Sequence, residues 1–143
     1  MARGVPQRVM EMLGSVPVLS ACTKDELRAI AGLGTEVGVE AGHTLTTQGA
    51  TGKEFFLVLK GTARCLVDDR EVARFGPGDF FGELALLSQV PRSATVVAET
   101  EMRLLVLDSR EFSALLEDNP RVALKMLRRL ADRIREMDAA FTN

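Results

Sequence analysis

The chain has 143 residues, of which 46% are apolar and 27% are charged, a composition typical of one globular domain with a real core. Its formal net charge of −2 gives no overall basic field that would attract nucleic acid or anionic lipid. The only histidine is His43, and the two cysteines are Cys22 and Cys65, which excludes a multi-histidine metal centre or a C-x-x-C ligand cluster. We therefore expect no metal and no cofactor.

No segment of the sequence predicts membrane insertion or export. The longest apolar run, Phe55 to Leu59, is far shorter than the roughly 20 residues that a membrane-spanning helix needs. The N-terminal residues lack the apolar stretch of a secretion signal. We expect a cytoplasmic protein whose two cysteines are buried or half-buried thiols.

The first predicted helix begins at a capping box. Thr23 and Glu26 have the Thr-x-x-Glu spacing, and apolar residues then recur at helical spacing until Gly32 and Gly34 interrupt the pattern. A helix is therefore predicted from about residue 24 to residue 33.

The chain between residues 36 and 107 is built of short segments rich in β-branched and aromatic residues, which Gly, Pro and Asp turns separate. That spacing predicts an antiparallel sandwich or barrel. The predicted strands are Thr44–Gln48, Glu54–Lys60, Thr62–Val67, Glu71–Phe75, Thr95–Ala98 and Met102–Leu107.

Two helices are predicted after the last strand. Asp108 or Ser109 is expected to cap a helix over Arg110–Glu117. Asn119 and Pro120 are typical of the N-cap and first residue of a helix, which is expected to run from about 120 to 138.

One stretch inside the β region, Phe81 to Thr95, is not strand-like. Gly82 precedes a run of helix formers, Glu83–Leu87, and the start of a helix presents unpaired N–H groups and partial positive charge to an anion. Arg92 adds a guanidinium matched to phosphate oxygens. Glu83 adds an acceptor for a sugar hydroxyl, so the residues predict a site for a cyclic ribose phosphate. The alternative is that Glu83 and Arg92 simply pair with each other.

This stretch resembles the phosphate-binding cassette of the cyclic nucleotide-binding domain family, found in the catabolite activator protein, in regulatory subunits of cAMP-dependent protein kinase and in cyclic nucleotide-gated channels. The resemblance is carried by Phe81-Gly82-Glu83-Leu84-Ala85-Leu86-Leu87 and by Pro91-Arg92-Ser93-Ala94-Thr95. Gly-punctuated segments upstream, such as Ala41-Gly42-His43-Thr44-Leu45, and the turn Phe75-Gly76-Pro77-Gly78-Asp79-Phe80-Phe81 extend the resemblance to roughly residues 18 to 138.

The resemblance implies specific roles for residues of the cassette. Glu83 would accept a hydrogen bond from the ribose 2′-hydroxyl, and Arg92 would pair with the exocyclic phosphate oxygens. Ser93 would meet the phosphate or the base; many cGMP-selective members have threonine at or beside this position, so the resemblance favours cAMP over cGMP. The remaining expected contacts in the cassette come from the backbone N–H groups of Gly82, Leu84 and Ala85, and from Ala94.

The resemblance also implies a lid over the base from the last helix, with Arg133 laid on the purine. The other lid candidates on that helix are Met126, Leu130, Ile134, Met137 and Phe141. An alternative for the same helix is a homodimer interface, because a heptad-like spacing relates Ala123, Leu127, Leu130, Ile134, Met137 and Phe141.

The expected fold is therefore α+β: an antiparallel β-barrel or jelly roll of about eight strands with a short phosphate-binding helix, flanked by an N-terminal helical segment and two C-terminal helices. We expect one domain, with a helical lead-in at 1–35, the barrel and cassette at 36–107, and the C-terminal helices at 108–140.

The expected function is a non-enzymatic sensor that binds cAMP, with cGMP as the alternative ligand. It would signal through its C-terminal helices to a protein partner or a second copy, and it would contact neither nucleic acid nor membrane. A cupin-type metalloenzyme would need more than one histidine. An interaction domain with a silent nucleotide site stays open as the alternative.

Overall fold

The computed structural model describes residues 7–16, 19, 22–88 and 90–142. The helices of this part of the chain are α1 (Gln7–Gly14), α2 (Lys24–Leu33), α3 (Glu83–Leu87), α4 (Ser109–Asp118) and α5 (Pro120–Thr142). The strands are β1 (Thr35–Val39), β2 (Thr44–Thr46), β3 (Phe55–Lys60), β4 (Ala63–Val67), β5 (Arg70–Phe75), β6 (Phe80–Phe81), β7 (Thr95–Ala98) and β8 (Met102–Leu107).

The strands form two four-stranded sheets with the orders β1-β8-β3-β6 and β2-β7-β4-β5. All of the recorded pairings are antiparallel. The predicted antiparallel jelly roll with helices at both ends is therefore confirmed.

Strand β3 separates two hydrophobic cores. Its first five residues are all buried, because side chains alternate between the two faces of a strand and both faces are covered here. Phe55 and Leu57 pack into a core shared with the helices, where Phe55 stacks on Phe112 of α4 at 4.6 Å between ring centroids. Phe56 and Val58 pack between the two sheets. This second core borders the site described below.

The helix starts were predicted well where a side chain caps them. Thr23 and Glu26 form the capping box of α2. Asp108 and Glu111 form another at the start of α4, so Asp108, rather than Ser109, is the cap.

Asn119 directly precedes Pro120, the first residue of α5, so the predicted start of this helix is confirmed, although the Asn119 side chain bonds to the preceding helix. Its amide nitrogen donates to the carbonyl oxygen of Leu115 at 3.1 Å, at the end of α4. Its backbone carbonyl accepts from Val122 and Ala123, in the first turn of α5. Asn119 thus joins the two helices, because it satisfies backbone groups of both.

Three short elements were not placed individually by the sequence: α1, β1 and the two-residue strand β6. In α1, Val9 and Leu13 are buried in the core that the helices share with β3. Strand β6 is short because Gly82 follows it directly and begins a different conformation.

Cys22 is half-buried and Cys65 is buried, and both are free thiols, as predicted. His43 is exposed. Within the described residues, no group of three metal-ligating side chains is brought together, and none of the helices there has both the length and the apolar character to cross a membrane.

Candidate functional site

A cavity of about 90 Å³ opens between the β2-β7-β4-β5 sheet, the start of α3 and helix α5. The residues that line it are Thr46, Cys65, Phe75, Phe81, Gly82, Glu83, Arg92, Ser93, Ala94, Val96 and Arg133.

Gly82 shapes the floor of the cavity where β6 turns into α3. Its φ angle of +91° lies in the left-handed region, which glycine adopts without steric cost. A Cβ atom there would lie 2.5 Å from the carbonyl oxygen of Glu54. Only glycine fits, and the turn it makes places Glu83 at the first position of α3.

Glu83 is a buried carboxylate, with 5% of the residue exposed. Its Oε1 atom lies 3.4 Å from Nη1 of Arg133, and its carboxylate also accepts from its own backbone N–H. Burial raises the pKa of Glu83 above its ordinary value, and the backbone hydrogen bond, Arg133 and Arg92 only partly oppose that rise. The carboxylate is therefore costly to keep charged without a hydrogen-bonding partner.

Arg92 is also buried, with 7% exposed, and main-chain oxygens hold its guanidinium. Nη2 donates to the carbonyl of Glu54 at 2.9 Å, and Nη1 donates to the carbonyl of Gly82 at 3.2 Å. The guanidinium carbon lies 5.9 Å from the ring centroid of Phe56. Burial lowers the pKa of Arg92, but a guanidinium stays protonated in proteins.

Glu83 and Arg92 do not pair with each other; among the described residues, the ion-pair partner of Glu83 is Arg133. The simple pairing that the sequence left open is therefore wrong. Because carbonyl oxygens carry only partial charge, they leave the full positive charge of Arg92 without an anionic partner at hydrogen-bond distance.

Arg133 reaches the cavity from α5. Nη2 donates to the carbonyl of Phe80 at 2.6 Å, and the guanidinium carbon lies 4.5 Å from the Phe80 ring centroid and 5.2 Å from that of Phe75. Its Nε atom is buried and has no hydrogen-bond partner in this structure. Burial lowers the pKa of Arg133, and the charge of Glu83 opposes that decrease.

The charged side chains that line the cavity are Glu83, Arg92 and Arg133. Two cations and one anion leave a local charge of +1 when Glu83 is ionised. The positively charged lining favours an anionic ligand, and the charges of Glu54 and Asp79 also act on Arg92 and Arg133 from outside it.

The statistical model of the family described as the cyclic nucleotide-binding domain matches residues 36–119. This match covers more than half of the chain, including the cassette and the barrel. The chain belongs to the cyclic nucleotide-binding domain family.

Similar proteins from this family include a cAMP-dependent protein kinase regulatory subunit of Neurospora crassa, 38% identical over 106 residues, which are 73% of this chain and 28% of that protein. The Thermus thermophilus catabolite activator protein is 30% identical with a TM-score of 0.80, over 88% of this chain and 62% of that chain. The regulatory subunit of a cAMP-independent protein kinase A from Trypanosoma brucei is 27% identical with a TM-score of 0.74, over 86% of this chain and 44% of that chain. This chain thus spans less than two thirds of each of these relatives.

Most of the cassette residues predicted from the family resemblance lie together in the structure. The lining of the cavity includes Gly82, Glu83, Arg92, Ser93, Ala94 and Arg133. Leu84 and Ala85 lie in α3, and their side chains are outside the described part of the chain. Contact of these residues with a cyclic nucleotide stays a prediction.

The predicted lid residues of α5 separate onto different faces. Met126 is buried in the core that the helices share, whereas Ile134 is 60% exposed and does not line the cavity. Leu130 packs against that same core. The side chains of Met137 and Phe141 lie outside the described residues.

Five residues that line the cavity were not predicted to bind the ligand: Thr46, Cys65, Phe75, Phe81 and Val96. They lie on strands whose alternation predicts only that they are buried. Burial raises the pKa of Cys65, so its thiol stays protonated at neutral pH.

Proposed function

We propose that this chain is a non-enzymatic cyclic nucleotide receptor that binds cAMP in preference to cGMP and signals through α5. One observation carries the proposal: the buried guanidinium of Arg92 and the buried carboxylate of Glu83 line the same cavity, with a charge of +1 left by its charged side chains. A cyclic nucleotide offers both a singly charged phosphodiester and a free 2′-hydroxyl.

In this proposal Arg92 binds the phosphate and Glu83 binds the ribose. A phosphate oxygen replaces a carbonyl oxygen as the acceptor for Arg92, which strengthens the hydrogen bond because both partners are charged. Such bonds contribute about 1.5–3 kcal/mol each, against the roughly 8 kcal/mol of a micromolar complex. The backbone N–H groups of Gly82, Leu84 and Ala85, at the start of α3, would supply further donors.

The preference for cAMP rests on Ser93, which is exposed at the edge of the cavity. The serine side chain lacks the methyl group of threonine, the residue that many cGMP-selective family members carry at or beside this position. The purine would lie towards α5, where Arg133 already lies against aromatic rings.

Arg133 is the proposed link between the cavity and α5. It belongs to α5, and it contacts Glu83, the residue that would bind the ribose. A ligand that competes for Glu83 changes the free energy of this contact. If the ligand binds more tightly to the protein with α5 in one position than in another, it shifts the equilibrium towards the first position. The size of the shift equals the difference in binding free energy between the two positions.

The receiver of the signal is proposed to be a protein partner or a second copy of the chain. Helix α5 exposes Leu124, Leu127 and Ile134, whose spacing of three and seven residues puts them on one face. Mass measurement of the assembly with and without cAMP distinguishes the two: a ligand-dependent dimer supports a second copy, and a monomer in both conditions supports a separate partner.

The proposed function is tested by calorimetric titration with cAMP, cGMP and adenosine. We expect saturable binding of cAMP, weaker binding of cGMP and no binding of adenosine, which lacks the phosphate. Tighter binding of cGMP would overturn the base preference alone. Equal binding of adenosine and cAMP would overturn the role of the phosphate.

A second candidate function is an interaction domain with a silent nucleotide site. Two observations favour it. The similar Trypanosoma brucei subunit belongs to a cAMP-independent protein kinase A. In this chain, the carboxylate of Glu83 is already paired with Arg133. Folded protein that gives no heat with millimolar cAMP or cGMP would support this candidate over the receptor.

A further inference from the structure

Gly52 lies in the loop between β2 and β3, directly against the guanidinium of Arg92. A Cβ atom at Gly52 would lie 2.3 Å from Nε, 2.7 Å from Nη2 and 2.8 Å from Cζ of Arg92. Non-bonded heavy atoms pack at about 3.5–4.0 Å, so alanine and the present position of Arg92 are incompatible. The φ angle of Gly52 is outside the left-handed region, so space, not backbone conformation, requires glycine here.

The loop of residues 47–54, called the arginine loop below, also holds the main chain of Arg92. The N–H of Gly49 donates to the carbonyl of Arg92, and the N–H of Arg92 donates to the carbonyl of Ala50, both at 2.8 Å. Together with the bond from Nη2 to the carbonyl of Glu54, the arginine loop fixes both ends of this residue.

The arginine loop is itself tied to two neighbouring segments through Gln48. The Gln48 amide exchanges two hydrogen bonds with Asp68 in the β4–β5 turn, at 3.0 and 2.8 Å. The backbone N–H of Gln48 donates to Oγ1 of Thr95 at 2.9 Å. An added methyl group at Gly52 therefore meets an anchored loop on one side and the end of a flexible side chain on the other, and the side chain of Arg92 is the part that moves.

We propose that Gly52 is a positioning residue for anion recognition: its missing side chain is the space that lets Arg92 lie where a phosphate monoanion can reach it. This inference rests on the proposed function, because it concerns the same site. It adds a residue that has no ligand-binding group of its own and does not line the cavity.

The test is the variant Gly52→Ala, titrated with cAMP by calorimetry beside the parent chain. We expect at least a tenfold loss of affinity. The matched control is Gly32→Ala in α2, where a Cβ atom would meet nothing within 4 Å, and its affinity should equal that of the parent. Parent-like affinity of Gly52→Ala would overturn the proposal while leaving the proposed function intact.

A double-mutant cycle separates positioning from a general effect on the loop. In an Arg92→Ala background, Gly52→Ala should cause no further loss of affinity, because no guanidinium remains to be displaced. Any decrease in melting temperature that Gly52→Ala causes alone should likewise disappear in that background, a readout that needs no ligand. A loss of affinity or stability that persists without Arg92 would overturn the proposal. A parent chain that binds no cyclic nucleotide would instead overturn the proposed function, together with the ligand role of Gly52.

Discussion

Arg92 and Arg133 border one cavity, but the regions that carry them are held in different ways. Arg92 belongs to the barrel, where two backbone hydrogen bonds fix its main chain to the arginine loop. Arg133 belongs to α5, whose buried contacts lie near its beginning, at Val122 and Met126. Beyond Leu130, none of the α5 residues whose side chains are described is fully buried.

Among the residues whose side chains are described, two arginines make polar contacts that fasten the middle of α5 to the rest of the protein. Arg133 contacts Glu83 and the carbonyl of Phe80, and Arg129 lies 3.7 Å from the carboxylate of Asp79. On the opposite face Leu127 is 61% exposed. The phosphate side of the site is therefore built into the sheet framework, whereas the α5 side depends on polar contacts, of which the one between Arg133 and Glu83 lies at the cavity.

The largest effect on ligand binding is expected from Arg92→Ala. If the barrel side carries recognition, cAMP affinity should fall by about 2–5 kcal/mol, because the phosphate loses its charged partner. Calorimetry measures the loss, with Arg28→Ala as a control, since Arg28 is an exposed arginine of α2. Unchanged affinity of Arg92→Ala would exclude this residue as the phosphate ligand.

A smaller loss is expected at Glu83. Glu83→Ala should weaken cAMP binding by about 1–3 kcal/mol, because the ribose 2′-hydroxyl would be left without its hydrogen-bond acceptor. Titration of the parent chain with 2′-deoxy-cAMP should show a similar loss, and the deoxy analogue should bind Glu83→Ala as well as cAMP does. A deoxy analogue that binds the parent chain as tightly as cAMP would contradict the ribose role.

The raised pKa of Glu83 predicts opposite pH trends for binding and for folding. A carboxyl whose folded pKa is raised contributes stability that is present below its unfolded pKa and is lost as pH rises through the folded value. Binding of the ribose hydroxyl needs the ionised carboxylate. The affinity for cAMP should therefore rise as the pH increases from the unfolded pKa of Glu83 to its higher folded pKa. Melting curves and cAMP titrations from pH 4.5 to 8 measure both trends. The values for Glu83→Gln at each pH are subtracted from those of the parent chain. A difference that is flat with pH would show that Glu83 does not titrate there.

The smallest effect is expected at Arg133. Arg133→Ala should reduce hydrogen-exchange protection over residues 130–136 by about 1 kcal/mol in the absence of cAMP, the scale of one hydrogen bond. The control is Arg135→Ala, because Arg135 pairs with Asp132 on an exposed part of the same helix. Equal protection in Arg133→Ala and the parent would show that Arg133 does not fasten α5.

The sequence predicted those features that local chemistry determines. A capping box placed the start of α2, a capping residue placed the start of α4, and the Gly, Pro and Asp turns placed most of the strands. Within the site, Gly82, Glu83 and Arg92 were found because one short segment carries them all, with donors and an acceptor at fixed spacing.

What the sequence missed depends on how distant segments dock. Glu83 and Arg133 are separated by 50 positions, and their contact requires a particular rotation of α5. The apolar residues of α5 fit more than one helical face, so their spacing alone could not show that Met126 lies inside and Ile134 outside. The close approach of Gly52 to Arg92 could not be predicted either, because a glycine in a sequence indicates a turn and does not show which side chain packs against it.

The single residue between α4 and α5 determines where a movement of α5 can begin. Asn119 is hydrogen-bonded to both helices and Met126 is buried, so in the proposed mechanism a movement of α5 would begin beyond Met126. From there to Thr142 the helix extends for about 24 Å at 1.5 Å per residue, so a tilt of about 10° displaces its end by about 4 Å. In the proposed mechanism, the helix would pivot at the core, and its far end would move farther than the part that lies near the cavity.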